Sequence, residues 1–188
     1  GLYYAKEYEH AFYWWHRATG DADAMYWIGR CYRFAYGVKG DFTKAFEWWE
    51  RASGCGHAGA TRQLALSYEH GPGAEENKKK ALGLYLKAVE LGDKYAAYKL
   101  GLIYHDGRCG VAVNKTEALK WYRVAVELGS TYAQQKLEEL EAELAAETAA
   151  FLAEQQAKKD AEAAELARIA EEEAEAARLI AQEEEAAR

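Results

Sequence analysis

The chain has few cysteines, a single proline and no long apolar run, and each shortage excludes something. Cys31, Cys55 and Cys109 stand at irregular spacing in 188 residues. An odd, irregular set is no disulfide framework. Reduced thiols are therefore expected, in a cytosol-like compartment, and the expected localisation is cytoplasmic. No apolar run is long enough to cross a bilayer as a helix or to read as a signal peptide, so no membrane partner is expected. The C-terminal segment lacks most of what builds a core. All six Trp and all fourteen Tyr precede Ala133, and Phe151 is the only aromatic residue after Leu137. Residues 131–188 contain neither Pro nor Gly.

Charge divides the chain at the same place. Residues 138–188 carry 16 acidic and 5 basic side chains, a net of −11. The first 137 residues carry 19 basic and 15 acidic, a net of +4. Two regions are expected: an aromatic, mildly basic body over 1–137 and an acidic Ala/Glu-rich segment over 138–188. A chain of net −7 is a poor nucleic-acid binder, so no nucleic-acid partner is expected.

Chemical motifs are also missing. His10, His16, His57, His70 and His105 form no H-E-x-x-H spacing, and no phosphate-binding G-x-x-x-x-G-K-[ST] loop occurs. Cys55-Gly56-His57 reads as a loop cysteine beside a surface histidine, because structural zinc needs four ligands. The acidic residues cluster in the tail as a solvated face rather than an acid/base pair. No catalytic, cofactor-binding or metal-binding residue is expected, no cofactor is expected, and the chain is not read as an enzyme.

What is present is a repeat. Ala24, Ala60 and Ala96 are 36 residues apart, as are Ile28, Leu64 and Leu100. Gly29, Ala65 and Gly101 keep the same spacing, as do Tyr32, Tyr68 and Tyr104. These offsets of 0, 4, 5 and 8 mark one helical face, called here helix A. A second set opens at Ala11, Ala45, Ala81 and Ala118. At offset 3 it holds Trp14, Trp48, Leu84 and Trp121, and at offset 4 Trp15, Trp49, Tyr85 and Tyr122. At offset 7 it holds Ala18, Ala52, Ala88 and Ala125. Offsets 0, 3, 4 and 7 again mark one helical face, helix B, and this spacing assigns its rings to core packing. A period of 36 residues with two helices per unit predicts a stacked α-solenoid.

The punctuation agrees with this reading. Asp41, Asn77 and Asn114 are expected to cap the B helices, with Asp21, Asp93 and Ser130 capping the A helices that follow. Asn114 with Glu117 has the spacing of a capping box, so Asn114-Lys115-Thr116 reads as a cap rather than a glycosylation site. Gly20, Gly54, Gly92 and Gly129 are expected to end the B helices. The loops from A to B are Gly37-Val38-Lys39-Gly40, Gly71-Pro72-Gly73 and Gly107-Arg108-Cys109-Gly110. Gly29 and Gly101 predict close helix crossings, where B-helix rings fill the space that a side chain would take.

The run Ala96-Leu100-Gly101-Tyr104, followed by Ala118-Trp121-Tyr122-Ala125-Gly129, resembles the Sel1-like repeat, a relative of the tetratricopeptide repeats. Lys44-Ala45 and Lys80-Ala81 match its K-A step. The resemblance covers about residues 6–137. It implies an all-α fold: an α-solenoid of Sel1-like helix-turn-helix repeats followed by one long C-terminal helix. It also implies that helix A lines the concave side, where a partner segment is held.

Helix A offsets 2, 3, 6, 9 and 10 point away from the core face. They give Tyr26, Trp27, Arg30, Arg33 and Phe34, then Arg62, Gln63, Leu66, Glu69 and His70, then Tyr98, Lys99, Leu102 and His105. Aromatic and Arg residues are common interface anchors. The expected partner-binding residues are Tyr26, Trp27, Arg30, Arg33, Phe34, Arg62, Tyr98 and Lys99, and the expected partner is an acidic or aromatic peptide or helix.

From Ala133 the helix A pattern puts Glu138 at the small position and Glu141 at the Tyr position, so the solenoid is expected to end there. One helix is expected to run on through the tail. With no Gly or Pro to break it, it is not expected to fold back into the groove. Residues 163–174 echo 174–185 at a shift of 11, placing Leu166, Ile169, Leu179 and Ile180 near one stripe. That stripe suits a coiled coil or a docking helix. Gly1-Leu2-Tyr3-Tyr4 resembles the end of an A helix, so the chain is expected to be a piece of a longer solenoid. Its first B helix, with Phe12, Tyr13, Trp14 and Trp15, would then expose apolar area. The functional expectation is a non-enzymatic scaffold or adaptor. The alternative is a structural subunit of a large cytoskeletal, ciliary or organellar assembly, in contact through the long helix.

Overall fold

A computed structural model describes the backbone of residues 2–71 and 73–186, and the side chains of residues 7–71 and 73–186. Gly1, the side chains of Leu2, Tyr3 and Tyr4, and Pro72 of the predicted Gly71-Pro72-Gly73 loop lie outside the described residues. Every regular element among the described residues is an α-helix. The B helices are α1 (Leu2–Arg17), α3 (Phe42–Gly54), α5 (Lys78–Glu90) and α7 (Lys115–Glu127). The A helices are α2 (Ala22–Phe34), α4 (Ala58–His70), α6 (Lys94–Asp106) and the first turns of α8 (Thr131–Ala186). The chain separates into a compact unit Gly1–Leu140 and a second unit Glu141–Arg188.

Within the first unit each helix from α1 to α7 packs on the next. The register predicted to be small is where they cross. A Cβ at Gly29 would run into the Trp49 indole, and one at Gly101 into the Tyr122 ring. Trp49, Tyr85 and Tyr122 are fully buried beneath these crossings, each burial worth on the order of 2–3 kcal/mol. Ala45, Ala81 and Ala118, with Ala52, Ala88 and Ala125, are also fully buried and let the helices close. Offset 3 departs from the predicted core packing. Trp48, Leu84 and Trp121 are only half-buried, and Trp14 is 65% exposed. The offset-4 ring is the one that points into the helix pair. In α1, Tyr13 and Trp14 are exposed, while Phe12 meets the Tyr32 ring and Trp15 stacks on Trp27.

Backbone hydrogen bonds explain the repeat's punctuation. At each turn from A to B, the B-helix cap donates its amide to the tyrosine carbonyl of the preceding A helix. These bonds are Asp41 to Tyr32 at 2.9 Å, Asn77 to Tyr68 at 2.7 Å and Asn114 to Tyr104 at 2.8 Å. The three cap side chains accept from Lys44, Lys80 and Glu117 amides at 2.9–3.0 Å. Because the Asn114 amide is already donated to Tyr104, the capping box predicted with Glu117 is half formed.

The turns from B to A repeat a glycine cap. Gly56, Gly92 and Gly129 take φ of 83°, 87° and 84°. The residue after each donates to the offset-7 alanine: His57 to Ala52, Asp93 to Ala88 and Ser130 to Ala125. The glycine amide reaches the carbonyl one residue further on, which completes a Schellman motif. Two expected glycines are thereby corrected. Gly54 is the last residue of α3, and Gly56 performs the turn. Gly20 does not take positive φ. The expected cap Ser130 is also corrected: its hydroxyl is buried without a hydrogen-bond partner.

From Thr131, α8 runs 56 residues. It buries Ala133, Leu137 and Leu140, and no described residue after Leu140 is buried. This is where the small and Tyr positions of the pattern become Glu138 and Glu141. The rest of the helix is held by its own composition and by local pairs, such as Glu154–Lys158 at 2.7 Å and Glu165–Arg168 at 2.6 Å. Exposed pairs of this kind contribute about 0.3–0.5 kcal/mol each. No described helix is long and apolar enough to cross a membrane.

Candidate partner-binding surface

The eight residues expected to bind a partner fall into two clusters on the A helices. The first runs along α2. Arg30 lies 4.7 Å from the Trp27 ring centroid and 5.7 Å from that of Phe34. Arg33 lies 5.4 Å from the Phe34 centroid and 4.5 Å from that of Phe42. Trp27 stacks on Trp15 at 5.5 Å, and Phe34 on Tyr36 at 5.5 Å. The result is a ladder of alternating rings and guanidinium planes, with Trp27, Phe34 and Phe42 exposed. The rings are apolar flanks that hold the two cations in place without neutralising them.

The second cluster is a groove where α4, α6 and the start of α8 lie side by side. It encloses about 440 Å³ and is lined by Arg62, Leu66, Tyr95, Tyr98, Lys99 and Tyr132. Tyr95 and Tyr132 are 45% and 68% exposed, large apolar faces presented to solvent. Arg62 lies over the Tyr95 ring at 5.4 Å. Lys94 also sits over Tyr95 and donates to the Gly129 carbonyl at 3.1 Å. Lys99 has no carboxylate in ion-pair range among the described residues, so its charge is available to a partner.

Tyr95 and Tyr132 are additions to the expected set, as are Phe42, Tyr36 and Trp15. The signal for the first two was present. Both stand one residue before the A-helix alanine, a full turn ahead of offsets 2 and 3 on the same face. Of the three in the ladder, Tyr36 follows α2 directly in the chain, whereas Trp15 and Phe42 come from α1 and α3, and only the fold brings those two to α2.

In α2 and α4 the offset-2 residue meets the cap of the next A helix. Arg62 holds Asp93 with Nε at 3.1 and 3.0 Å from the two carboxylate oxygens, and Asp93 also accepts from the Ala96 amide at 2.8 Å. One repeat earlier, Tyr26 stacks on His57 at 4.5 Å. His57 is an N-cap and not the surface histidine expected. Its Nδ1 accepts from the Ala60 amide at 3.0 Å, and its Nε2 lies 3.2 Å from Asp23. Asp21 caps α2 through the Asp23 amide. Tyr26 and Arg62 are thus half-buried inter-repeat contacts as well as surface residues.

Glu69 was expected to point away from the core and is instead buried. Tyr85 donates its hydroxyl to Glu69 at 2.5 Å. Burial, then this hydrogen bond, holds the phenol above its ordinary range. In the next repeat His105 stands where Glu69 stood, and the Tyr122 hydroxyl is buried without a partner. All three cysteines are free. Burial pushes the Cys31 thiol up to about 11 and raises Cys109 as well, so both are core residues of low reactivity. Among the described residues no group of three His, Cys, Asp or Glu side chains is placed to hold a metal.

The Sel1 repeat family model matches residues 1–19, 22–57, 58–93 and 94–130. No curated protein matches the chain significantly. Among solved structures, the Sel1 repeat protein of Oxalobacter formigenes is 36% identical with a TM-score of 0.64, covering 72% of this chain and 56% of that one. The uropathogenic Escherichia coli protective antigen c5321, which displays an SLR fold, is 35% identical with a TM-score of 0.59, covering 64% of this chain and 26% of its own. The chain therefore spans about half the length of the first relative and about a quarter of the second. Helicobacter pylori cysteine rich protein B, at 24% identity and a TM-score of 0.52, covers 72% of this chain and 90% of its own and shares the fold.

Proposed function

Because the chain belongs to the Sel1 repeat family, whose members generally mediate protein–protein interaction, we propose that it is a non-enzymatic scaffold holding an acidic partner segment along its A helices. The observation that carries this reading is the tyrosine groove. Three rings and Leu66 offer apolar contact, and Lys99 offers an uncommitted cation beside them. A peptide with apolar or aromatic anchors flanked by carboxylates matches that combination. The ladder on α2 extends the same chemistry through Arg30 and Arg33. Its guanidinium planes are pre-set by the rings and suit paired carboxylate oxygens.

The test is titration of the folded chain with a synthetic Glu-rich peptide carrying aromatic anchors. Lys99→Glu should weaken binding by about tenfold or more, as should Arg30→Glu with Arg33→Glu. Reversing the peptide's charge should recover part of that loss. Affinity unchanged by all three substitutions would sink the groove and ladder as the site.

The second reading, a structural subunit of a large assembly, is favoured by the exposed apolar residues of α8. Leu166, Ile169, Leu179 and Ile180 are 40–68% exposed. In that reading, deleting the tail would abolish assembly while peptide binding by the repeats persists.

A further inference from the structure

We infer that the tyrosine groove of one copy holds the acidic helix of a second copy, so that chains associate head to tail. The inference rests on the peptide-holding role given to the groove above and names its occupant. Glu162, Leu166, Ile169, Glu173 and Ile180 follow one another at spacings of 4, 3, 4 and 7 residues, which puts them on one face of α8. Leu166 is 68% exposed, Ile169 40% and Ile180 58%. Neither Glu162 nor Glu173 forms an ion pair among the described residues. The face is therefore a row of apolar anchors set between free carboxylates.

The groove is its complement. Leu66, Tyr98 and the exposed faces of Tyr95 and Tyr132 supply apolar contact, and Lys99 supplies charge. Net charge points the same way, −11 over residues 138–188 against +4 over the first 137. Lengths agree as well. Leu166 and Ile180 are 14 residues apart, about 21 Å along a helix. Three neighbouring A helices at about 8–10 Å spacing span the same distance.

Groove and tail are different surfaces, so the contact is heterologous, and copies joined by it form a closed ring or an open chain according to the rotation between them.

Sedimentation equilibrium of the full chain tests this. The mass should rise with protein concentration and fall back with added salt. A tail variant, Leu166→Gln with Ile169→Gln, keeps strong helix formers in place. A groove variant, Tyr132→Ala with Lys99→Glu, changes only one exposed ring and one cation. Each variant alone should associate about tenfold more weakly or not at all. Mixed in equal amounts they should form a pair that stops at two chains, because one working groove then meets one working tail. Thermal melts matching the parent separate lost docking from lost folding, and Ile180→Gln serves as a second tail variant if they differ.

Three results overturn the inference: a mass of one chain at every concentration, association untouched by the groove variant (tails pairing with tails), or a mixture that forms no pair. A chain that stays single yet binds the synthetic acidic peptide loses only this inference. A chain that does neither loses the scaffold reading with it.

Discussion

The second repeat (α4 and α5) and the third (α6 and α7) share one backbone frame and carry different polar groups on it. In both, an A-helix tyrosine carbonyl receives the amide of the next cap, and a Schellman glycine turns the chain from B to A. The side chains at equivalent positions then diverge. His57 caps α4 and stacks on Tyr26, whereas Asp93 caps α6 and is gripped by Arg62. Tyr85 donates to buried Glu69, whereas the Tyr122 hydroxyl donates to nothing. The lesson is that backbone bonds hold the repeat, and polar side chains at its junctions are free to become local ion pairs or binding surface.

The largest effect should come from the junction with the ion pair. Asp93→Ala removes a cap and leaves Arg62 half-buried without its carboxylate. It should cost about 3 kcal/mol in a denaturant melt. His57→Ala, which removes only a cap and a ring stack, should cost about 1 kcal/mol. Equal losses at the two sites would erase the distinction between them.

Gly101→Leu should destabilise by about 1–3 kcal/mol, because the Tyr122 ring fills the space a side chain needs. A variant melting with the parent would break the alignment of the third repeat with the first, where Gly29 faces Trp49.

The next effect is a difference between two conservative changes. Tyr85→Phe leaves the buried Glu69 carboxylate without its donor and should cost about 1–3 kcal/mol. Tyr122→Phe removes a hydroxyl that has no partner and should be neutral or slightly stabilising. Paired melts of the two variants measure the contrast directly.

The smallest effect concerns acid. The Asp41 carboxyl is held below its ordinary range, chiefly by the Lys44 amide that it accepts. A depressed folded value means that its contribution is present above the unfolded value and is lost as pH falls through the folded one. Asp41→Asn keeps the cap, as Asn77 and Asn114 do, and removes this ionisation. Melting temperature should then fall slightly less steeply below about pH 4.

Much of this was legible in the sequence because helix periodicity and cap chemistry are local. Alanine and aromatic registers located the helices, and Asp41, Asn77 and Asn114 located the starts of α3, α5 and α7. The misreadings came where a cap residue was unusual. Cys55-Gly56-His57 is the counterpart of Leu91-Gly92-Asp93, and histidine in place of aspartate hid the match. The ladder on α2 was half legible, since Trp15 and Phe42 join it from other helices. Tyr95 and Tyr132 were within reach of the helical pattern one turn earlier.

The sequence by itself determined that this chain is helical throughout, that its repeats are stacked in pairs of helices, and that stacking stops near Leu140. Each of those follows from spacing, side-chain volume and caps, which act over a few residues. Only the tertiary structure decided which polar groups face one another. Arg62 and Asp93 are 31 residues apart, and Tyr85 and Glu69 are 16 apart. Whether a charge in such a repeat is spent on its neighbour or left for a partner depends on which side chain the next helix brings opposite it, and helix period alone does not encode that.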